Sequence, residues 1–277
     1  MKAAIAGLGI IGAQWAKHLK DDGSLVVCWN RSEKPLLPLY SHHLSDLPKK
    51  AEIIHIVVAD PKAVASVLNE VTPGLNSSHL VIQSSTIDPT SSLAFSAQVR
   101  AKGAAYLESP FTGSLPAAAN RDLVFYVGGP TETLDRARPY LNRLGKSIFH
   151  IGTESQAATL KLVMNLQLAS AVEALCEALS TARAAGISDD IFFDAFKKNG
   201  SYSGVAALKE SKFRSRDFSP QFSVKHMGKD MRLLKESLPV GQLPVLDTLH
   251  SLFMSAEREG LSELDYTALI ELQKKKG

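Results

Sequence analysis

The feature that most constrains this chain is a run of three glycines set between a strand and a helix. Residues 2–6, KAAIA, are a short apolar run. Gly7-Leu8-Gly9-Ile10-Ile11-Gly12 follows, and Ile11, Trp15 and Leu19 then recur at helical spacing. A lone G-x-G-x-x-G says little. Here it follows a strand, opens a helix and is succeeded by Asp22-Gly23 and a second apolar strand, SLVVCW, which is the context a dinucleotide-binding turn requires. Gly7 permits the sharp turn, Gly9 lets the backbone approach a pyrophosphate, and Gly12 lets helix pack on strand. The unpaired amides of the helix N-terminus face the anion.

The end of the second strand bears on which dinucleotide. NAD-binding chains place an Asp or Glu there to accept hydrogen bonds from the ribose hydroxyls, and that carboxylate repels a 2′-phosphate. Eighteen positions after Gly12 this chain has Asn30, Arg31 and Ser32 instead. An amide, a guanidinium and a hydroxyl suit a phosphate monoester, so the expectation is NADPH over NADH. An exposed loop arginine with no ligand is the plain alternative.

Composition excludes several other classes. The net charge is +3, with 31 Lys and Arg scattered among 28 acids, so neither nucleic acid nor a membrane surface is expected as a partner. Two cysteines, Cys28 in a strand pattern and Cys176 in a helical one, make no disulfide framework, and a reducing cytoplasm fits. The histidines, His42-His43 included, have no ligand spacing, so no metal is expected. The glycine-broken opening reads as mature structure rather than a signal peptide, and no segment is expected to span a bilayer.

An α/β alternation continues with apolar runs at residues 52–58, 79–83, 104–108, 123–128 and 147–151. Helical patterns begin near Pro61, Pro89 and Pro130. The order predicts a doubly wound Rossmann sheet over residues 1–153, with ligands beyond the carboxyl ends of its strands. The segments to inspect are therefore Ala59-Asp60-Pro61, Ser84-Ser85-Thr86 and residues 109–114. Asp60 serves equally as a helix N-cap.

After Gly152 the pattern changes. Residues 155–185 hold no Gly or Pro and predict one long helix ended by Gly186, opening an all-α domain over residues 154–277. Further helices are predicted at residues 188–199, around 205–213, at 223–238, through 246–259 before Gly260, and at 263–274. On the long helix Lys161 and Asn165 are four apart and share a face among Leu160, Leu162, Val163, Met164 and Leu166. Such a lysine snorkels to water, pairs or lines a site.

Several ordered motifs carry a resemblance: GLGIIG, WNRS, SSTIDP, SPFTGSLPAA, LKLVMN and FSVKHMGKDMRLL. The chain resembles the β-hydroxyacid dehydrogenases, a 6-phosphogluconate dehydrogenase-like fold group that includes 3-hydroxyisobutyrate dehydrogenase, and within them the glyoxylate/succinic semialdehyde reductase branch. The resemblance implies Lys161 as the catalytic lysine and Asn165 as an asparagine that holds substrate. It implies Thr112, Gly113 and Ser114 at the substrate carboxylate and Thr86 near the nicotinamide. Phe222 matches an aromatic near the active-site mouth, while Lys229 and Asp230 match a Lys-Asp pair close to cofactor and substrate. A solvated helix face is the alternative for that pair. It also implies a homodimer or homotetramer, which fits a second domain rich in Phe192, Phe193, Phe196, Leu249, Leu252, Phe253 and Met254. Departures are small for small: Ser155 and Ala157 stand where glycines are usual, and Thr112 where serine is.

The activity implied is NADPH-dependent reduction of a small aldehyde acid to its hydroxyacid, with Lys161 as general acid. An ammonium partly stripped of water gives up its proton near neutral pH. An imine reductase shares the plan but usually has Asp or Tyr in place of Lys161. A 6-phosphogluconate dehydrogenase needs a larger helical domain. A silent NADPH-binding module shares the fold without the chemistry.

Overall fold

A computed structural model describes residues 1–33, 39–237 and 241–273. The chain forms two compact units, Met1–Lys161 and Leu162–Gly277.

The first unit runs β1 (Ala3–Ala6), α1 (Ile10–Asp21), β2 (Leu25–Trp29), α2 (Leu47–Lys50), β3 (Ile53–Ile56), α3 (Pro61–Val71) and β4 (Leu80–Gln83). It continues with α4 (Pro89–Arg100), β5 (Ala105–Glu108), β6 (Phe111–Thr112), α5 (Leu115–Ala119), β7 (Leu123–Gly128), α6 (Thr131–Leu141) and β8 (Gly145–Gly152). Among the described residues these strands make one eight-stranded sheet in the order β2-β1-β3-β4-β5-β7-β6, with β8 on β7. From β2 to β5 every pairing is parallel. The chain order reverses at β1, whose neighbours are β2 and β3, and the glycine turn leaves from its carboxyl end.

The apolar runs are continuous because the sheet is covered on both faces. Ala3, Ile5, Leu80 and Ile82 point into one cluster with Trp15 and Leu19. Ala4, Ala6, Ile54, Ile56 and Val81 point into the other with Val64 and Leu68. A polar residue intrudes on β3. His55 is fully buried, stacked on Trp15 and bonded at Nδ1 to the Tyr140 hydroxyl (2.9 Å) and at Nε2 to Ser84 Oγ (2.7 Å). Burial pushes its pKa down to about 3, so the ring stays neutral.

Beyond β5 the sheet departs from the sequence expectation. β7 lies antiparallel to β5, and β6 pairs antiparallel with β7 through Phe111 and Phe125. The connection in which the chain turns back holds Gly113, at a φ of +120°, and only the five-residue α5, too short for a crossover that would return a parallel strand. α2 and α5, four and five residues long, carry too little periodicity to be read in advance.

α7 (Glu154–Ala184) is one helix of 31 residues and supplies the second unit from Leu162 onward. α8 (Asp189–Phe196), α9 (Gly204–Ser215), α10 (Val224–Ser237), α11 (Pro244–Arg258) and a 3₁₀ segment (Tyr266–Gln273) complete it. Gly186 and Gly260 end α7 and α11 at φ of +78° and +81°, as their positions predict. Contrary to expectation, one segment is long and apolar enough to cross a membrane by length and composition: α7 itself. Its Leu162, Ala169, Val172, Leu175, Cys176 and Leu179 are spent on the core of the second unit.

The last segment is 3₁₀ rather than α. It starts where the Ala268 amide bonds the Asp265 carbonyl three residues back (2.8 Å), while Thr267 Oγ1 donates to Asp265 Oδ1 (3.0 Å). Asp265 is itself the hub of a buried group. It receives Lys209 Nζ at 2.9 Å on both oxygens and the amides of Gln221 and Phe222 at 2.9 and 3.2 Å. Of the large apolar residues in which this domain is rich, Phe193, Leu249 and Phe253 are buried and Phe192 and Phe196 pack against the cluster; Met254 is exposed.

Candidate active site

The glycine turn is defined by what its glycines exclude. A methyl group at Gly7 would sit 2.0 Å from the Val57 carbonyl oxygen, and at Gly7 the φ of +110° itself disfavours a side chain. A methyl at Gly12 would meet the Gly7 carbonyl oxygen, also at 2.0 Å. β1, α1 and the end of β3 therefore close on one another only because both are glycine. Gly9 differs: it is exposed, and a Cβ there would meet no protein atom within 4 Å. Gly9 is also the N-cap of α1, with no side-chain cap and no acid in the first turn. Exposed backbone at an uncapped helix N-terminus fits a dinucleotide pyrophosphate.

The glycines thus make opposite predictions. Gly9→Val is expected to keep the wild-type melting temperature within about 2 °C, a surface-substitution effect, while losing NADP⁺ binding. Gly12→Ala is expected to melt lower, because the clash lies inside the protein. Calorimetric melting and cofactor titration of both variants check this.

Asn30 follows β2. Its side-chain amide bonds two neighbours: Oδ1 accepts from the Leu8 amide (2.8 Å) and Nδ2 donates to the Ser32 carbonyl (2.8 Å). Arg31 and Ser32 are exposed.

The β3 end is settled by local bonding. Asp60 Oδ1 accepts from the Ala63 amide (2.8 Å), so Asp60 is the N-cap of α3, and Ala59 beside it is exposed. At the β4 end, Ser85 Oγ accepts from the Val58 amide (2.8 Å), which ties the β3 and β4 termini, and Thr86 is half-buried just beyond.

Behind these termini lies a polar group that motif reading missed. Glu108, fully buried at the end of β5, accepts from Gln83 Nε2 (2.7 Å), Ser92 Oγ (2.7 Å) and the Tyr106 hydroxyl (2.9 Å). Gln83 turns back to bond both the amide and the carbonyl of Ser85. Burial pushes the Glu108 carboxyl up to about 8 against the pull of its donors. The available signal was a polar residue closing each apolar run, Gln83 after LVI and Glu108 after AYL. Thr112, Gly113 and Ser114 follow on one reversal, Thr112 half-buried in β6 and Ser114 at the N-cap position of α5.

On α7, Lys161 is only 9% exposed, so its stem is buried. One turn on, Asn165 is fully buried and donates from Nδ2 to Asp230 Oδ2 on α10 (2.5 Å). Asp230 is 1% exposed, and Lys229 Nζ lies 2.9 Å from its other oxygen. The Lys229-Asp230 pair is therefore no solvated face. A carboxylate only accepts, so Asp230 fixes which end of the Asn165 amide faces it. Phe222 is half-buried against Tyr266, its amide held by Asp265. Among the described residues no group of three or more His, Cys, Asp and Glu side chains is arranged to hold a metal.

Residues 2–152 match the family model for the NAD-binding domain of 6-phosphogluconate dehydrogenase. Residues 155–273 match that described as NAD-binding of NADP-dependent 3-hydroxyisobutyrate dehydrogenase. The chain belongs to the β-hydroxyacid dehydrogenase family. As a member it is a nicotinamide-dependent oxidoreductase acting on CH–OH groups. Among β-hydroxyacid dehydrogenase relatives, it is 28% identical to glyoxylate/succinic semialdehyde reductase 2 of Arabidopsis thaliana, over 97% of this chain and 78% of that one. It is 27% identical to the NAD-dependent L-serine dehydrogenase of Pseudomonas aeruginosa, over 97% and 96%. The fold is similar to that of Mycobacterium tuberculosis 3-hydroxyisobutyrate dehydrogenase, solved with L-serine, with a TM-score of 0.88, 24% identity and 99% coverage of both chains.

Proposed function

We propose that this β-hydroxyacid dehydrogenase reduces a small aldehyde acid, of the glyoxylate or succinic semialdehyde kind, with NADPH. The reading is carried by Lys161, a lysine withdrawn from water one helical turn before an asparagine whose amide a buried carboxylate orients.

The reduced nicotinamide supplies hydride when bound. The protein's part is to bind, orient and protonate. Gly7, Gly9 and Gly12 with the α1 N-terminus, Leu8 to Ile11, hold the pyrophosphate, and Arg31 with Ser32 receives a 2′-phosphate. Thr112 by its hydroxyl and Gly113 by its amide, with Ser114 beside them, anchor the substrate carboxylate. Lys161 gives its proton to the carbonyl oxygen as negative charge grows there. Asn165, oriented by Asp230, aligns the oxygen, and Lys229 adds positive charge near the anionic ligands. Thr86, which the family resemblance matches to a residue near the nicotinamide, would help to hold it. Fixing the acid end sets the aldehyde carbon's distance from the hydride donor, so proximity contributes beside proton transfer.

Initial rates with NADPH and NADH on glyoxylate, succinic semialdehyde, methylmalonate semialdehyde and tartronate semialdehyde test the reading. Preference for NADPH and turnover of at least one aldehyde acid are expected. Arg31→Ala should raise the KM for NADPH by roughly 10- to 100-fold, the worth of a charge-assisted hydrogen bond, with kcat retained. Equal KM values for the two cofactors would remove the cofactor assignment. Faster turnover of cyclic imines than of every aldehyde acid would remove the substrate assignment.

A further inference from the structure

We propose that Asn30 is a positioning residue that locks the loop after β2 onto the glycine turn, so that the two phosphate-binding parts of the cofactor site act as one body. The inference rests on reading that site as binding NADP. Three bonds carry it. Asn30 Oδ1 holds the Leu8 amide, in the middle of the glycine turn, at 2.8 Å. Its Nδ2 holds the Ser32 carbonyl, beyond Arg31, at 2.8 Å. Its own carbonyl is held by the Tyr40 hydroxyl at 2.9 Å.

Tyr40 is anchored in turn. The amide of Cys28 bonds the Leu39 carbonyl (2.9 Å) and the Ser41 amide bonds the Cys28 carbonyl (2.8 Å), so this segment runs beside β2. Asn30 is thus gripped at its backbone from the β2 side and grips with its side chain on the other two. Arg31 lies between the two loop attachments, and its backbone has little room to move independently of Gly7 to Gly9.

The side-chain chemistry is specific. The amide accepts from Leu8 and donates to Ser32 at once, which an ionised carboxylate cannot do. An aspartate keeps the first bond, loses the second, and sets two oxygens against each other at Ser32. A residue chosen for ribose hydroxyls at this position therefore also releases the loop that carries Arg31. The cofactor preference is built into the loop's geometry as well as its charge.

The test compares wild type, Asn30→Ala, Asn30→Asp and Arg31→Ala by calorimetric titration of the cofactor-free protein with NADP⁺ and with NAD⁺, together with hydrogen exchange at the Leu8 amide. Asn30→Ala, which loses both side-chain bonds, is expected to weaken NAD⁺ by about tenfold and NADP⁺ by more, and to speed Leu8 exchange. Asn30→Asp is expected to keep Leu8 protected while weakening NADP⁺ at least tenfold more than NAD⁺, and it remains informative if the alanine variant does not fold. Arg31→Ala should weaken NADP⁺ alone and leave Leu8 exchange unchanged. Selective loss of NADP⁺ binding in Asn30→Ala with Leu8 exchange unchanged would overturn the proposal, making Asn30 a direct phosphate contact. Loss of Leu8 protection in Asn30→Asp would overturn it too. Unchanged NADP⁺ binding in Arg31→Ala would instead remove the cofactor reading, leaving Asn30 to be judged by NAD⁺ binding and Leu8 exchange.

Discussion

Lys161→Met is expected to lower kcat for aldehyde-acid reduction by about 10²- to 10⁴-fold, the usual worth of a positioned general acid, while leaving NADP⁺ affinity within about threefold. Methionine keeps the length and apolar stem of the lysine, so the substitution removes the ammonium without opening a cavity on α7. Loss confined to kcat would mean that the group acts in the transition state. Loss confined to KM would make it a ligand for the substrate carboxylate. The pH profile separates these roles further. A general acid must be protonated to act, so any alkaline limb of the wild-type pH profile that Lys161 causes should vanish in Lys161→Met. A normal rate in the variant would leave catalysis to proximity alone, and an unchanged limb would assign it to another group.

The parts of this molecule legible in the sequence are those whose signal is local. Strands β1 to β5 show because a sheet covered on both faces needs unbroken apolar runs. The long helix shows because residues 155–185 lack any breaker, and its end shows because Gly186 takes a φ that other residues avoid. Lys161 and Asn165 are paired by a spacing of four, which fixes a shared face on any helix. What escaped notice depends on contacts between distant residues. No spacing rule connects Asn165 to Asp230, 65 residues on, or Lys209 to Asp265, 56 on. Asn30 was legible as a residue type, but its bond to Leu8, 22 positions back, was not. The reversal at Gly113 was hidden for another reason: the glycine is visible, but its effect on strand direction depends on how β7 then packs.

Glu108 leads to the second large expected effect, on stability rather than rate. In the folded protein its carboxyl titrates at about 8, against 4.5 for an ordinary glutamate. Between those values the folded state holds a proton that the unfolded state has released. Raising the pH therefore favours unfolding by about 1.4 kcal/mol per unit across this window, on the order of 3–5 kcal/mol in all, with no further loss above the folded value. Among the described residues, the groups that act on this carboxyl include no cation. Gln83, Ser92 and Tyr106 are neutral donors, and the nearby Glu154, itself paired with Arg100, opposes a second negative charge. Glu108→Gln preserves the shape and abolishes the titration, and the Ser92 and Tyr106 hydroxyls can rotate to accept from the new amide. Urea unfolding at pH 5 and pH 8 should show the wild type losing stability across the interval and the variant losing much less, so that the variant is the more stable at pH 8. If the two proteins instead lose stability in parallel, Glu108 is ionised at neutral pH, and the network joining β4 to β5 holds a charge rather than a proton.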